Sequence, residues 1–368
     1  MWAAKINKGE EHEEGRNIGP AGAAAPPAFY VVISDMNVKF NEYLVAPFPW
    51  FGGKRRVADI VWQYFGDDVK NYVEPFFGSG AVLLGAPWPA DRIETVNDKD
   101  GFVCNFWRAI KHAPKEVAKW ADWPVNENDL HARHVWLREH REQLSHRLEG
   151  DPDYYDAKIA GWWVWGISCW IGGNWCAEKR TGPWMIDRDE EGCRMLVKNQ
   201  GEIGEEKIGV NRSKIHLSDS GCGVHRKLVN VYDWFSFLSD RLRRVRVCCG
   251  DWIRVLGPSA TFRHGVTAVF LDPPYSMDIR DDVYSVDSPG ISDAVRQWAI
   301  ENGNNPLLRI ALCGYEDEHQ MPPDWTCYSW RAHGGYGLQG EGEGRENREK
   351  ERIWFSPHCL KVNQLTLF

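Results

Sequence analysis

The sequence predicts an α/β fold, an open sheet flanked by helices and interrupted by a long insert. Three observations lead there. Residues 71–112 read strand, turn, helix, strand, helix, the pattern of a βαβ unit. That rhythm stops over residues 113–246 and resumes around Val245 to Trp252. The motifs that stand out sit at the ends of predicted strands, where open α/β sheets bind their ligands.

In chain order, residues 1–40 are polar and then rich in Gly, Ala and Pro, which reads as a flexible extension with no catalytic role. Pro49 to Lys54 form a Pro/Gly loop that leads into a helix-like run. Asn71 to Phe76 predict a short buried strand, ended by the glycine turn Phe77-Gly78-Ser79-Gly80, and Ala81 to Gly85 start a helix. Arg92 to Asp98 predict a second strand. Lys99 to His112 then predict a helix with Phe102, Phe106 and Ile110 on one face.

Within the insert, Glu127 to Leu148 read as one charged amphipathic helix and Lys158 to Trp170 as an aromatic helix. Gly172 to Lys227 read as a long Gly-rich, charged stretch. After it, Thr267 to Leu271 predict a buried strand running into a Pro-Pro turn, Ser292 to Glu301 a helix, and Leu307 to Cys313 another buried strand. Trp325 to Arg331 and Glu351 to Ser356 predict two late strands around a polar loop at 333–350. The expected organisation is an extension at 1–40, a catalytic domain at 41–112 and 247–368, and an inserted domain at 113–246 that is mostly helical or irregular.

Composition bounds the function. With 368 residues, 43% hydrophobic and 26% charged, the chain can bury a substantial core. No run of about 18 apolar residues predicts a membrane span, and the charged start lacks a signal core, so a cytoplasmic location is expected. The 10 Cys form no CxxC pair, which fits reduced thiols better than a disulfide framework. A net charge of −8 argues against coating nucleic acid by bulk charge, although residues 207–246 are locally basic. Trp is unusually frequent, with 20 copies, and the cluster from Trp162 to Trp175 is expected to be mostly core of the inserted domain. His131 and His134 share a helical face, but without a Cys partner at suitable spacing they read as part of a surface helix rather than a metal site.

Four candidate sites carry the chemistry. Glu74-Pro75-Phe76-Phe77-Gly78-Ser79-Gly80 is a strand-to-helix turn whose glycines admit a ligand close to the backbone; a plain tight turn is the bland alternative. Asn97-Asp98 ends the next strand about twenty residues on, where a carboxylate can bind ribose hydroxyls or cap the following helix. Asp272-Pro273-Pro274-Tyr275 is the most specific signal. Its carboxylate and the Pro273 carbonyl can both accept from one amino group, beside a flat aromatic face. Trp50, Gly53 and Lys54, in the run Pro49 to Lys54, can close over a nucleoside from before the first strand, although taken alone that run reads as an ordinary loop.

Taken together and in this order, these residues resemble the Dam-like, alpha-class DNA adenine-N6 methyltransferases. The resemblance covers roughly residues 45–112 and 247–356. It implies a Rossmann-like methyltransferase core that uses S-adenosylmethionine (SAM), releases S-adenosylhomocysteine and acts on double-stranded DNA without a metal. It implies cofactor contacts from Trp50, Gly53, Lys54, Glu74 to Phe76, Gly78 to Gly80, Asp98 and Asp272, with Asp251 facing the cofactor's adenine. By the same resemblance, Asp272, Pro273, Pro274 and Tyr275 match the family's catalytic motif. The target adenine is flipped out of the duplex, stacked on Tyr275 and held by its N6 hydrogens. A phage or prophage origin suits such a solitary enzyme. The insert lacks the family's usual Asn-Arg and Phe-Asn-Gly pattern, so the recognition sequence does not carry over. For DNA contacts the basic residues Lys54, Arg55, Arg212, Lys214, Arg226, Lys227, Arg243 and Arg244 are expected, with Arg241 and Arg246 nearby. The alternatives are cytosine-N4 methylation by the same chemistry, and a non-catalytic nucleic-acid-binding protein that kept the fold.

Overall fold

A computed structural model describes residues 44–362 except 51, 88–90, 172–174, 178–183, 189–193, 199–208, 211–229, 276–289 and 331–349. The described residues all fall within one compact unit, Phe40–Phe368; residues 1–43 lie outside them.

Helix α1 (Ala58–Phe65) buries Ala58, Val61, Trp62 and Phe65, the i, i+3, i+4, i+7 stripe of a helix laid on a core. Strand β1 (Asn71–Glu74) is buried along its length; the single turn α2 (Ala81–Leu84) and strand β2 (Ile93–Asp98) follow. Helix α3 (Gly101–His112) starts at Asp100, whose side chain accepts from the Phe102 N–H.

α3 differs from the expected one-faced helix. Every residue from Gly101 to Ile110 is buried. The reason is packing on both sides: besides the sheet, it meets α6 (Arg141–Gly150), α7 (Ala157–Cys169) and α8 (Val231–Leu242). Between α3 and α6 lie α4 (Pro114–Ala121) and α5 (Glu127–Glu139). The single helix expected over Glu127 to Leu148 is therefore two. At the break, His140 Nδ1 takes the Trp136 carbonyl at 2.7 Å and its ring stacks on Trp136 at 3.7 Å. The side chain occupies the carbonyl that the helical backbone needs, and the His140 N–H bonds Leu137 instead.

Past α7, strand β3 (Trp170–Ile171) pairs with β6 (Gly209–Val210), and β4 (Trp184–Arg188) pairs antiparallel with β5 (Arg194–Lys198). The stretch read as Gly-rich and charged thus contains the β4–β5 ladder and the second strand of the β3–β6 pair. Trp163, Trp165, Trp170 and Trp175 are buried, as expected of a core cluster. His131 and His134 are buried too, against Trp170, where a surface helix was expected.

Strands β7 (Val245–Cys249), β8 (Thr267–Leu271), β9 (Leu308–Tyr315), β10 (Thr326–Ser329) and β11 (Glu351–Phe355), with helix α9 (Ile291–Asn302), complete the sheet and its cover. The seven-stranded order is β10-β11-β9-β8-β1-β2-β7, parallel except for β11. This is the Rossmann-like methyltransferase arrangement. The order reverses between β1 and β8, so the chain leaves their carboxyl ends in opposite directions and a crevice opens there. Among the described residues, no helix is long and apolar enough to cross a membrane.

Candidate active site

The crevice holds a partly open cleft lined by residues from β1, β2, β8 and the Trp50–Lys54 loop. The loop after β1 forms one wall. Gly78 and Gly80 have φ of 44° and 63°, in the left-handed region that favours glycine. A Cβ on Gly78 would lie 2.3 Å from the Trp50 indole nitrogen, so the glycine lets Trp50 close onto the turn.

Side chains bonded to the main chain fix this loop. Asp98 Oδ2 accepts from the Gly78 N–H at 2.8 Å, and its Oδ1 from the Asp100 N–H at 2.9 Å. Asp98 therefore braces the turn while Asp100 caps α3. The Trp107 indole donates to the Gly78 carbonyl at 2.8 Å, and Asn97 donates to the carbonyls of Pro75 and Gly250. Burial pushes the Asp98 carboxyl up to about 6, against the lowering effect of these N–H groups. Burial also raises Glu74 well above its ordinary value, although Tyr72 donates a hydroxyl bond to it at 2.8 Å.

The opposite wall follows β8. Lys54 Nζ lies 2.9 Å from Asp272 Oδ1, donates to the Gly52 carbonyl at 2.8 Å, and stands 3.9 Å from Glu351 Oε2. The Tyr275 hydroxyl donates to Glu351 Oε2 at 2.9 Å and lies 3.4 Å from Asp272 Oδ1. Burial raises Asp272 and Glu351, and Lys54 opposes the rise in each. Lys54 and Asp272 thus line the cleft, and Tyr275 and Glu351 lie buried behind them.

The structure brings most of the expected cofactor residues together. Trp50, Gly53 and Lys54 line the cleft, as do Glu74, Phe76, Gly78 and Ser79. Asp98, Asp272 and Pro274 complete that set. Pro75 and Gly80 belong to the same turn without lining the cleft, and Pro273 is buried. Tyr275 is 6% exposed, with its ring set edge-on against Tyr315. Asp251 is exposed and caps the short helix Trp252–Val255; beside it Trp252 stacks with Phe76 at 6.2 Å.

The expected DNA contacts fare differently. Lys54 is 3% exposed and committed to its carboxylates, so it has no charge to offer a phosphate. Arg241 is buried in a bidentate pair with Glu94, at 2.7 and 3.0 Å, and is structural. Arg243 and Arg244 are exposed, but at the amino end of β7, whereas the cleft lies at the carboxyl ends of the strands. Arg55 is exposed beside Lys54. Arg212, Lys214, Arg226 and Lys227 lie outside the described residues, as does the loop at 333–350 apart from Lys350.

Sequence reasoning missed Asp100, Ile291 and Glu351. The Asp100 cap was legible as the second Asp of the Asn97-Asp98-Lys99-Asp100 run before a helix. Glu351 sits in a run of charges with nothing to mark it, and only strand pairing brings it to Tyr275.

Residues 50–149 match the family described as D12 class N6 adenine-specific DNA methyltransferase. The match spans Trp50 to Asp98 of the cleft and continues through most of α6.

Proposed function

We propose that this chain, an adenine-N6 DNA methyltransferase by that family match, binds SAM in the β1 half of the cleft and a flipped-out adenine in the β8 half. The carrying observation is the Lys54–Asp272 pair at the topological switch point, beside a glycine turn braced by Asp98.

The residues present fit SAM. Carboxylates at Glu74, Asp98 and Asp272 suit a cofactor with an ammonium, a sulfonium and a ribose diol, and Asp98 lies where a diol meets the second strand. Phe76, Trp252 and Asp251 would hold the adenine end. SAM supplies a methyl group already activated on a sulfonium. The protein then has to position the nucleophile and stabilise charge.

On the other side, Asp272 and the Pro273 carbonyl accept the two N6 hydrogens of the target adenine. This localises the nitrogen lone pair, which is otherwise drawn into the ring. Lys54 keeps Asp272 ionised and fixed. Tyr275 provides the aromatic wall; at 6% exposure, its face must be uncovered before a base can stack on it. Extrusion of the base is required because N6 is not attackable while stacked and paired. Target recognition falls to residues 113–246, with the catalytic domain at 41–112 and 247–368.

The test is direct. Purified protein, SAM and mixed-sequence double-stranded DNA should yield N6-methyladenine on nucleoside mass spectrometry. Asp272→Ala should lower the yield by about a thousandfold or more while leaving the fold intact. N4-methylcytosine as the product, or full activity in a folded Asp272→Ala protein, would overturn the reading.

A further inference from the structure

Glu351 has no place in the sequence motifs, yet it is one of the least exposed carboxylates among the described residues, at 5%. It opens β11 directly opposite Tyr315 of β9. Opposed residues of an antiparallel pair project from the same face of the sheet. Both reach the same ring: Glu351 accepts the Tyr275 hydroxyl at 2.9 Å, and Tyr315 packs edge-on against that ring at 4.6 Å. The oxygen that takes the hydroxyl is also the one 3.9 Å from Lys54 Nζ, and Lys54 stands 5.3 Å from the Tyr275 ring centroid.

Stability alone is a poor reason for this arrangement. A buried carboxylate is costly to desolvate, and an apolar side chain of similar size is often the cheaper occupant of such a position. What Glu351 adds is geometry. A tyrosine fixed only by packing can swing about its χ1 and χ2 angles. One fixed also at its hydroxyl presents a single ring plane.

We propose that Glu351 is a positioning residue for methyl transfer: it anchors the Tyr275 hydroxyl and shares Lys54 with Asp272, and so sets the wall and the acceptor of the target-base site. This rests on the reading of Asp272 to Tyr275 given above.

The experiment is a double-mutant cycle on full-length protein, with single-turnover transfer to DNA and SAM affinity measured for each variant. Glu351→Ala should slow transfer about ten- to hundredfold and change the SAM dissociation constant less than about twofold. Tyr275→Phe keeps the ring and removes only the anchored hydroxyl, and should cost a similar factor. The two together should cost little more than either alone, because they break one shared interaction. Glu351→Gln retains an acceptor oxygen and should recover most of the rate. Multiplicative losses, a full rate in folded Glu351→Ala, or equal losses in the Gln and Ala variants would each overturn the proposal. Should Glu351→Ala not fold, a full rate in Tyr275→Phe would overturn it as well. The unmodified protein and Asp272→Ala run in the same assay. If the unmodified protein forms no N6-methyladenine, the underlying reading fails; if it is active and the cycle shows no coupling, only this inference does.

Discussion

The two halves of the cleft are held together by different forces. The β1 half is braced by side chains bonded to the main chain: Asp98 to two N–H groups, Trp107 to the Gly78 carbonyl, Asn97 to two further carbonyls. The β8 half is braced by side-chain charge, with Lys54, the Asp272–Tyr275 turn and Glu351 arriving from three separate parts of the chain. The first set holds main-chain groups that the flanking strand and helix also position. The second is local to its members, and removing one leaves the others desolvated and unpaired.

After Asp272→Ala, the largest expected effect is therefore in the charge network. Lys54→Ala removes the cation that opposes the rise of Asp272 and Glu351. Both carboxyls should rise further, and a raised carboxyl is less ionised at a given pH. Transfer should fall about a hundredfold, equivalent to about 3 kcal/mol. The acid limb of the rate profile should also move to higher pH. A profile that keeps its position would show that Asp272 does not need Lys54 to stay ionised.

The β1 half is best tested by a group without charge. Gly78→Ala places a Cβ against the Trp50 indole and forces a left-handed φ on an L-residue, a strain of about 1–2 kcal/mol before any clash. SAM affinity should weaken at least tenfold, as read by calorimetry, with the melting temperature little changed. An unchanged affinity would mean that the turn does not cradle the cofactor.

The contrast also explains what could be read from sequence. The β1 half is written in one contiguous motif, and Asp98 follows at the spacing that a βαβ unit imposes, so its residues were legible. In the β8 half, Asp272 to Tyr275 announce themselves, while Glu351 enters only through the β9–β11 register. Pairing between distant strands leaves no local trace. The same holds for Arg241, whose position in a cluster of arginines suggested solvent or phosphate, but whose helix turns it inward to Glu94. The break at His140 was hidden for a different reason. Charge and apolar spacing both continue across it, and a side-chain bond to the Trp136 carbonyl is what interrupts the helix.

A smaller effect separates binding from stability. Burial holds the Asp98 carboxyl near 6, above its ordinary 3.8. For folding, such a group stabilises when protonated; its contribution is complete below 3.8 and is lost as pH rises through about 6. For cofactor binding the sign reverses, because the ionised carboxylate is the better acceptor for a diol. SAM affinity should drop below pH 6 by up to about tenfold per pH unit, the limit for one linked proton. Asp98→Asn should flatten that dependence and weaken binding at neutral pH. If the affinity of the unmodified protein is level from pH 5 to 8, Asp98 acts only as the brace of the Gly78 turn.

The smallest expected effect lies at the far end of the sheet. Arg243 and Arg244 are exposed and cationic, and by charge alone they belong to a DNA surface. Their place between α8 and β7 puts them at the amino end of a parallel sheet whose carboxyl ends hold the cleft. DNA seated with one base in that cleft meets Arg55 before it meets either of them. Each phosphate contact contributes a slope of about −0.9 to log affinity against log salt. Neutralising both arginines should therefore leave the slope for double-stranded DNA unchanged, while Arg55→Ala should flatten it by about one contact. A slope flattened by about two in the Arg243 and Arg244 double variant would mean that the duplex wraps past the edge strand to the opposite end of the sheet. In that case the two halves of the cleft would not be the whole of the DNA-binding face.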